Sequence, residues 1–139
     1  MRLFLDASVL LAAAASEKGA SRQIFEMAPA NQWQLITTPY VVNEVVKNLP
    51  DFPFVATGKW ASLRTQLLVM DDVLTLSLPV DFPAGKDRPV LFGAFAWADV
   101  LLTLDRKDFG RLLDSYFYKL LVLKPGVFIE RERAAGRLK

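Results

Sequence analysis

The chain has 139 residues, with 17 Lys plus Arg against 15 Asp plus Glu, a formal net charge of +2, and neither Cys nor His. That length fits one domain with its own core, spanning residues 1–139, and the near-neutral balance excludes an overall basic field that would by itself announce nucleic acid. Without Cys or His, disulfides, thiolate nucleophiles, zinc ribbons, iron–sulfur clusters and Ser-His-Asp triads are excluded, so any chemistry falls to carboxylates, hydroxyls, Lys, Arg or a hard metal ion.

Apolar runs of strand length alternate with stretches of helical periodicity, which predicts βαβ units around a parallel sheet of about five strands. Buried parallel strands are apolar on both faces, and that accounts for a mean hydropathy of +0.25. The first strand falls at residues 3–5, followed by Asp6 and a helix over 8–16. The apolar run Val9 to Ala15 is far short of the roughly 18 residues of a membrane span. Asp6 also interrupts what would otherwise resemble a signal peptide, so a cytoplasmic setting without membrane is expected. A helix over 21–28 leads to a second strand at 35–37. Thr38-Pro39 then opens a helix over 39–49, with a hydroxyl at the cap and proline in the first turn. Its apolar stripe is Val41, Val42, Val45, Val46 and Leu49, with Glu44 on its border. A helix over 54–69 and a strand over 73–78 follow, with Asp71, Asp72 and Asp81 as turn and loop residues. The helix over 88–98 carries Val90, Leu91, Ala94, Phe95 and Ala98, and Asp87 extrapolates into the middle of that stripe. Strands at 100–103 and 120–123 flank a short helix near 110–116. A last helix near 127–137 runs into a basic tail, residues 131–139, read as a solvated end.

Four carboxylates, Asp6, Glu44, Asp87 and Asp105, each follow a predicted strand, and strand C-terminal ends are where open α/β sheets build their sites. Taken singly, Asp6, Asp87 and Asp105 have an ordinary role as helix caps, and Glu44 as a solvated helical residue. Capping does not account for four acids converging on one sheet edge. Two carboxylates about 5 Å apart repel by roughly 3 kcal/mol at an effective dielectric near 20, which invites a multivalent cation. Oxygen-only donors select Mg²⁺ or Mn²⁺, ions that act on phosphate esters. Thr103, two residues before Asp105, is a candidate supporting hydroxyl, as is Ser8 after Asp6. Asp108 is a fifth, weaker candidate. Lys47, Lys86, Arg88, Arg106 and Lys107 supply charge that would steer a phosphate backbone.

Four segments in order carry a resemblance. They are Leu3-Phe4-Leu5-Asp6-Ala7-Ser8-Val9-Leu10, Pro39-Tyr40-Val41-Val42-Asn43-Glu44-Val45, Lys86-Asp87-Arg88-Pro89-Val90-Leu91, and Ala98-Asp99-Val100-Leu101-Leu102-Thr103-Leu104-Asp105 with Arg106-Lys107-Asp108-Phe109 after it. Together with Lys124-Pro125-Gly126-Val127-Phe128, the chain resembles the PIN-domain family over nearly its whole length. That resemblance implies a three-layer α/β/α sandwich around a parallel sheet. It also implies a Mg²⁺- or Mn²⁺-dependent ribonuclease holding its ions through Asp6, Glu44, Asp87 and Asp105, with Thr103 in support. Many small members are toxins of toxin–antitoxin pairs, so an RNA substrate and an antitoxin partner are expected. Residues 39–49 and 54–69 carry more apolar surface, including Phe52, Phe54 and Trp60, than a small sheet can cover, so a homodimer, or a dimer bound to an antitoxin, is expected. Leu104 and Trp97 stand where the family usually has small residues, which suggests an altered substrate path.

The alternative from a different class is a non-catalytic RNA- or protein-binding module on the same fold. A carboxylate phosphotransferase is disfavoured, because Ala7-Ser8 follow Asp6 where a second acid would be needed.

Overall fold

A computed structural model describes residues 1–77 and 85–139. Leu78, the end of the predicted strand over 73–78, lies outside the described residues, as do Asp81 and the side chain of Lys86. In chain order the elements are β1 (Arg2–Leu5), α1 (Ala7–Ala15), α2 (Ala20–Asn31), β2 (Gln34–Thr37), α3 (Pro39–Asn48), α4 (Phe54–Arg64), β3 (Leu68–Val69), α5 (Arg88–Trp97), β4 (Val100–Leu102), α6 (Arg106–Phe109), β5 (Ser115–Phe117), β6 (Leu120–Leu123) and α7 (Pro125–Ala134). The strands form one six-stranded sheet in the order β3-β2-β1-β4-β6-β5. All neighbours are parallel except β5 and β6, which form an antiparallel hairpin. Helices flank the sheet, so the expected α/β sandwich with a mostly parallel sheet is the fold observed.

The sequence reaches this arrangement through strands that are apolar on every side. Leu3, Phe4 and Leu5 of β1, with Leu101 and Leu102 of β4, are completely buried, as strands covered on both faces must be. Central β1 pairs with β2 on one side and β4 on the other, so the direction of strand order reverses at β1. Crevices at such a reversal are where open α/β sheets bind ligands. The register sets Leu5 opposite Leu102, and the Asp6 N–H donates to the Leu102 carbonyl at 3.1 Å. The residues just after β1 and β4 therefore emerge side by side.

Four expectations are corrected. The strand over 73–78 is absent from its described part. The edge strand β3 forms at Leu68–Val69, inside the region expected to be helix, and α4 stops at Arg64. Leu74, within that predicted buried strand, is 69% exposed. That segment is instead tied down by loop contacts, since Asp72 Oδ1 accepts the Tyr40 N–H at 3.2 Å and the Asp71 carbonyl accepts Trp97 Nε1 at 2.9 Å. The short helix near 110–116 is displaced to α6, and β5 takes part of its place. The β5–β6 hairpin turns at Tyr118-Lys119 with Tyr118 at φ 53°. No Gly or Asn announces that left-handed residue. In α3, Val46 is exposed rather than part of the buried stripe, and Leu49 is buried but belongs to a 3₁₀ turn over Leu49–Asp51.

One buried cation matters to the scaffold. Arg22 of α2 is 9% exposed, and its guanidinium donates to the Ala13 and Ala14 carbonyls in the last turn of α1. Those carbonyls have no helical partner. Arg22→Ala is expected to lower the unfolding free energy by about 2–3 kcal/mol, because hydrogen bonds to a charged donor are lost in a buried place. Urea denaturation checks this, and a loss below about 0.5 kcal/mol would mean that water replaces the guanidinium without penalty.

Candidate functional site

Asp6 leaves β1 and becomes the N-cap of α1, accepting the Ala7 N–H on Oδ1 at 2.7 Å. Its other oxygen is held by hydroxyls, the Thr103 Oγ1 at 2.7 Å and the Ser8 Oγ at 3.3 Å. Thr103 follows β4 and is completely buried. Its hydroxyl donates to Asp6 and accepts the Asp105 N–H at 3.1 Å, so one side chain joins two acids from different strands. Ser8 acts in the same way, accepting the Leu104 N–H at 3.0 Å. Asp105 caps α6, with Oδ1 accepting the N–H groups of Lys107 and Asp108, both at 3.0 Å. Asp6 and Asp105 are thus caps and also face a cavity.

Asp87 behaves differently. It stands at the N-cap position of α5 but makes no capping hydrogen bond. Its Oδ2 is buried without a hydrogen-bond partner. The residue does not follow a described strand. Burial raises the Asp87 carboxyl from 3.8 to about 7, reinforced by hydrogen bonding and charge repulsion from Asp108 and by the charges of Asp6 and Asp105. Burial also pushes the Asp6 carboxyl upward, opposed by its hydrogen bonds from Thr103, Ala7 and Ser8.

A cavity of about 450 Å³ collects these groups, and Asp6, Glu44, Asp87 and Asp105 all line it, with Ser8, Tyr40 and Lys47. The tightest group is not the expected four. One carboxylate oxygen from each of Asp87, Asp105 and Asp108 lies within 4.8 Å of the other two. In the sequence Asp105-x-x-Asp108 reads as an ordinary acidic first turn, while its one-turn spacing also sets the two side chains on one helix face. Glu44 and Asp6 share the cavity but not this trio. Arg88, Arg106 and Lys107 are exposed, while Lys47 lines the cavity itself. Trp97 is not near the acids. It ends α5, whose ten residues at 1.5 Å each set it about 15 Å from Asp87, and it borders a different cavity with Arg2 and Asp99. Leu104 does sit beside Ser8 and is 40% exposed.

With that geometry in view, no family model and no curated protein matches the chain. Among solved structures it is similar to a chain in the crystal structure of VapBC2 from Rickettsia felis bound to a DNA fragment from their promoter. The superposition has a TM-score of 0.60 at 14% identity and covers 88% of this chain and 97% of that one. At that identity the likeness is one of fold.

The raised Asp87 value makes a signed prediction. Between pH 3.8 and about 7 the folded protein keeps a proton that the unfolded chain has released. The Asp87 contribution to stability therefore falls as pH rises through that window and is constant above it. Asp87→Asn removes the penalty, so the variant is expected to melt roughly 2–5 °C higher than the parent at pH 8 and equally near pH 4, allowing for partial solvent screening. A capping role alone predicts no such pH dependence, because Asn caps about as well as Asp. Thermal melts across pH check this, and a constant difference would remove Asp87 charge as the cause.

Proposed function

We propose that the chain is a Mg²⁺- or Mn²⁺-dependent ribonuclease, the toxin of a toxin–antitoxin pair. The observation that carries this reading is the buried, unpartnered Asp87 Oδ2 beside Asp105 and Asp108. A carboxylate oxygen shut from water and lacking a donor is costly unless a cation completes it. The donor set fits a hard ion, being oxygen only and close enough to be bridged directly or through water. Asp87, Asp105 and Asp108 would hold the ion, with Asp6 and Glu44 on the same cavity wall. When bound, such an ion provides a nucleophile from water at neutral pH and offsets charge developing on the phosphate in an in-line displacement.

The remaining work belongs to the chain. Thr103 and Ser8 fix the Asp6 carboxylate, and the two α6 amides fix Asp105, so neither acid must reorient when substrate arrives. Lys47 brings a positive charge to a cavity otherwise dominated by carboxylates, where it can meet a backbone phosphate. Hydrolysis with departure of the 3′-oxygen leaves a 5′-phosphate and a 3′-hydroxyl, as the family resemblance implies. Trp97, about 15 Å from Asp87 along α5, does not crowd the acids. Among the described residues no helix is long and apolar enough to cross a membrane.

Cleavage of RNA is expected to require Mn²⁺ or Mg²⁺ and to fall on the order of 100-fold or more in Asp6→Asn. Thr103→Val, which frees the Asp6 oxygen, is expected to weaken Mn²⁺ binding by about 10–100-fold. Gel assays and metal titrations of the melting temperature check both. Full activity in excess chelator, or an undiminished Asp6→Asn protein, would refute the reading.

The assembly proposal is narrower than the sequence suggested. Trp60 is buried and Phe52 half-buried, so neither needs a partner. Phe54 and Val55 of α4 are 90% and 70% exposed and form an open apolar surface with Gly58. A homodimer, or a dimer joined to an antitoxin, would cover them. Sedimentation should give a dimer that Phe54→Ser weakens at least about 10-fold, and a monomer at tens of micromolar, on the order of ordinary assay concentrations, would count against it.

A further inference from the structure

The end of the sheet opposite the acids carries the reverse chemistry. Arg2, Asp99 and Lys119 stand at the N-terminal ends of β1, β4 and β6. From Asp99 to Asp105 the chain advances about 20 Å at roughly 3.3 Å per residue, so this end is well separated from the acidic cavity. Two cavities of about 370 and 280 Å³ open here and share Asp99 and Lys119. The larger lies between α7 and the sheet, with Arg131, Arg137 and Tyr116 in its wall. The smaller is bordered by Arg2 and Phe95. Against Arg2, Lys119, Arg131 and Arg137 stand two carboxylates. Glu132 is buried and bonded to Arg137, and Asp99 accepts the Arg2 N–H at 2.8 Å.

Aromatic rings are interleaved with these cations. Tyr116 is 65% exposed and Tyr118 51%. Tyr118 meets Phe117 edge-on at 5.1 Å, and Lys119 Nζ lies 5.3 Å above the Phe95 ring. Cations that track a backbone beside open π-faces are the equipment for single-stranded nucleic acid. An acidic protein segment would use the charges and leave the tyrosine faces without a function.

We propose that this basal surface is a second contact for single-stranded RNA, gripping the stretch that flanks the bond offered to the acidic cavity. It rests on the ribonuclease reading for the identity of the polymer, not for the existence of the contact.

The test is binding of a fluorescent oligouridylate of about 16 nucleotides, by anisotropy in excess EDTA, alongside cleavage of that oligomer and of a dinucleotide with Mn²⁺. Lys119→Ala/Arg131→Ala is expected to weaken binding about 10-fold and to lower the salt slope by about 1.4, near 0.7 for each lost phosphate contact. Tyr116→Ala should weaken it about 5-fold or more, and Arg131→Lys should keep most of the affinity. All these side chains are exposed, so folding should survive. Dinucleotide cleavage should be unchanged in every variant, while 16-mer cleavage at low substrate falls with binding. Equal affinity and salt slope in parent and variants would overturn the contact and leave the ribonuclease reading standing. Loss of binding in the variants, with no cleavage by the parent, would keep the contact and sink the ribonuclease. Competition by polyglutamate as strong as by unlabelled oligouridylate would assign the surface to acidic protein and overturn the proposal.

Discussion

The hydroxyl of Thr103 is the joint on which the site depends. It is completely buried, donates to Asp6 at 2.7 Å and accepts from the Asp105 backbone at 3.1 Å. Parallel strands alone bring Asp6 and Thr103 to the same level, because Leu5 is in register with Leu102. That register would set two acids close together at a sheet edge with nothing to hold them apart or in order. A hydroxyl can donate to one and accept from the backbone of the other, which neither a carboxylate nor an apolar side chain can do. Desolvation pushes the Asp6 carboxyl upward, and the Thr103 hydrogen bond is the largest influence in the other direction. The same atom thus sets both position and charge.

Around that joint, capping and clustering are complementary roles. Asp6 and Asp105 each occupy one oxygen with helix N–H groups, which offsets the repulsion between them by placing each charge at the positive end of a helix. Asp87, also at a helix start, lacks those hydrogen bonds. It begins α5 without accepting a capping bond, and its buried Oδ2 stays unsatisfied. Burial raises both the Asp6 and the Asp87 carboxyls, but of these acids Asp87, at about 7, is the one whose buried oxygen has no hydrogen-bond partner. A group in that state is poised to exchange its proton for another cation.

The fold was legible wherever burial alone decided the structure. Strands that are apolar throughout, such as those at Leu3–Leu5 and Leu120–Leu123, and helices with a clear stripe and a Thr-Pro start could be placed because each signal is local. The misplacements fall where tertiary contacts override the pattern. The alternation of Leu74 and Leu76 imitates a strand, yet Asp71 and Asp72 bind α3 and α5 instead, and the edge position goes to Leu68–Val69. The Tyr118-Lys119 hairpin adopts a left-handed residue without the usual Gly or Asn, so no turn chemistry marked it. At the cavity, the acids were visible as residues that ended predicted strands or bordered stripes. Asp108 was visible too, but a carboxylate in a helix's first turn has so ready an explanation that its proximity to Asp87 required coordinates.

A formal net charge of +2 conceals a separation of charge along the strands. Asp6, Glu44, Asp87, Asp105 and Asp108 gather near the C-terminal ends, with Lys47 among them. Arg2, Lys119, Arg131 and Arg137 gather at the other end. Whole-chain composition averages these to almost nothing, and the basic tail that holds Arg131 and Arg137 reads in the sequence as a solvated end. A polyanion approaching such a molecule is repelled by the end that holds the acids unless a cation neutralises them. It is attracted to the opposite end at ranges of about a Debye length, near 8 Å in physiological salt. Parallel topology produces this polarity directly. The five parallel strands enter from one edge and leave at the other, so residues that immediately precede them and residues that immediately follow them are sorted to opposite ends of the sheet.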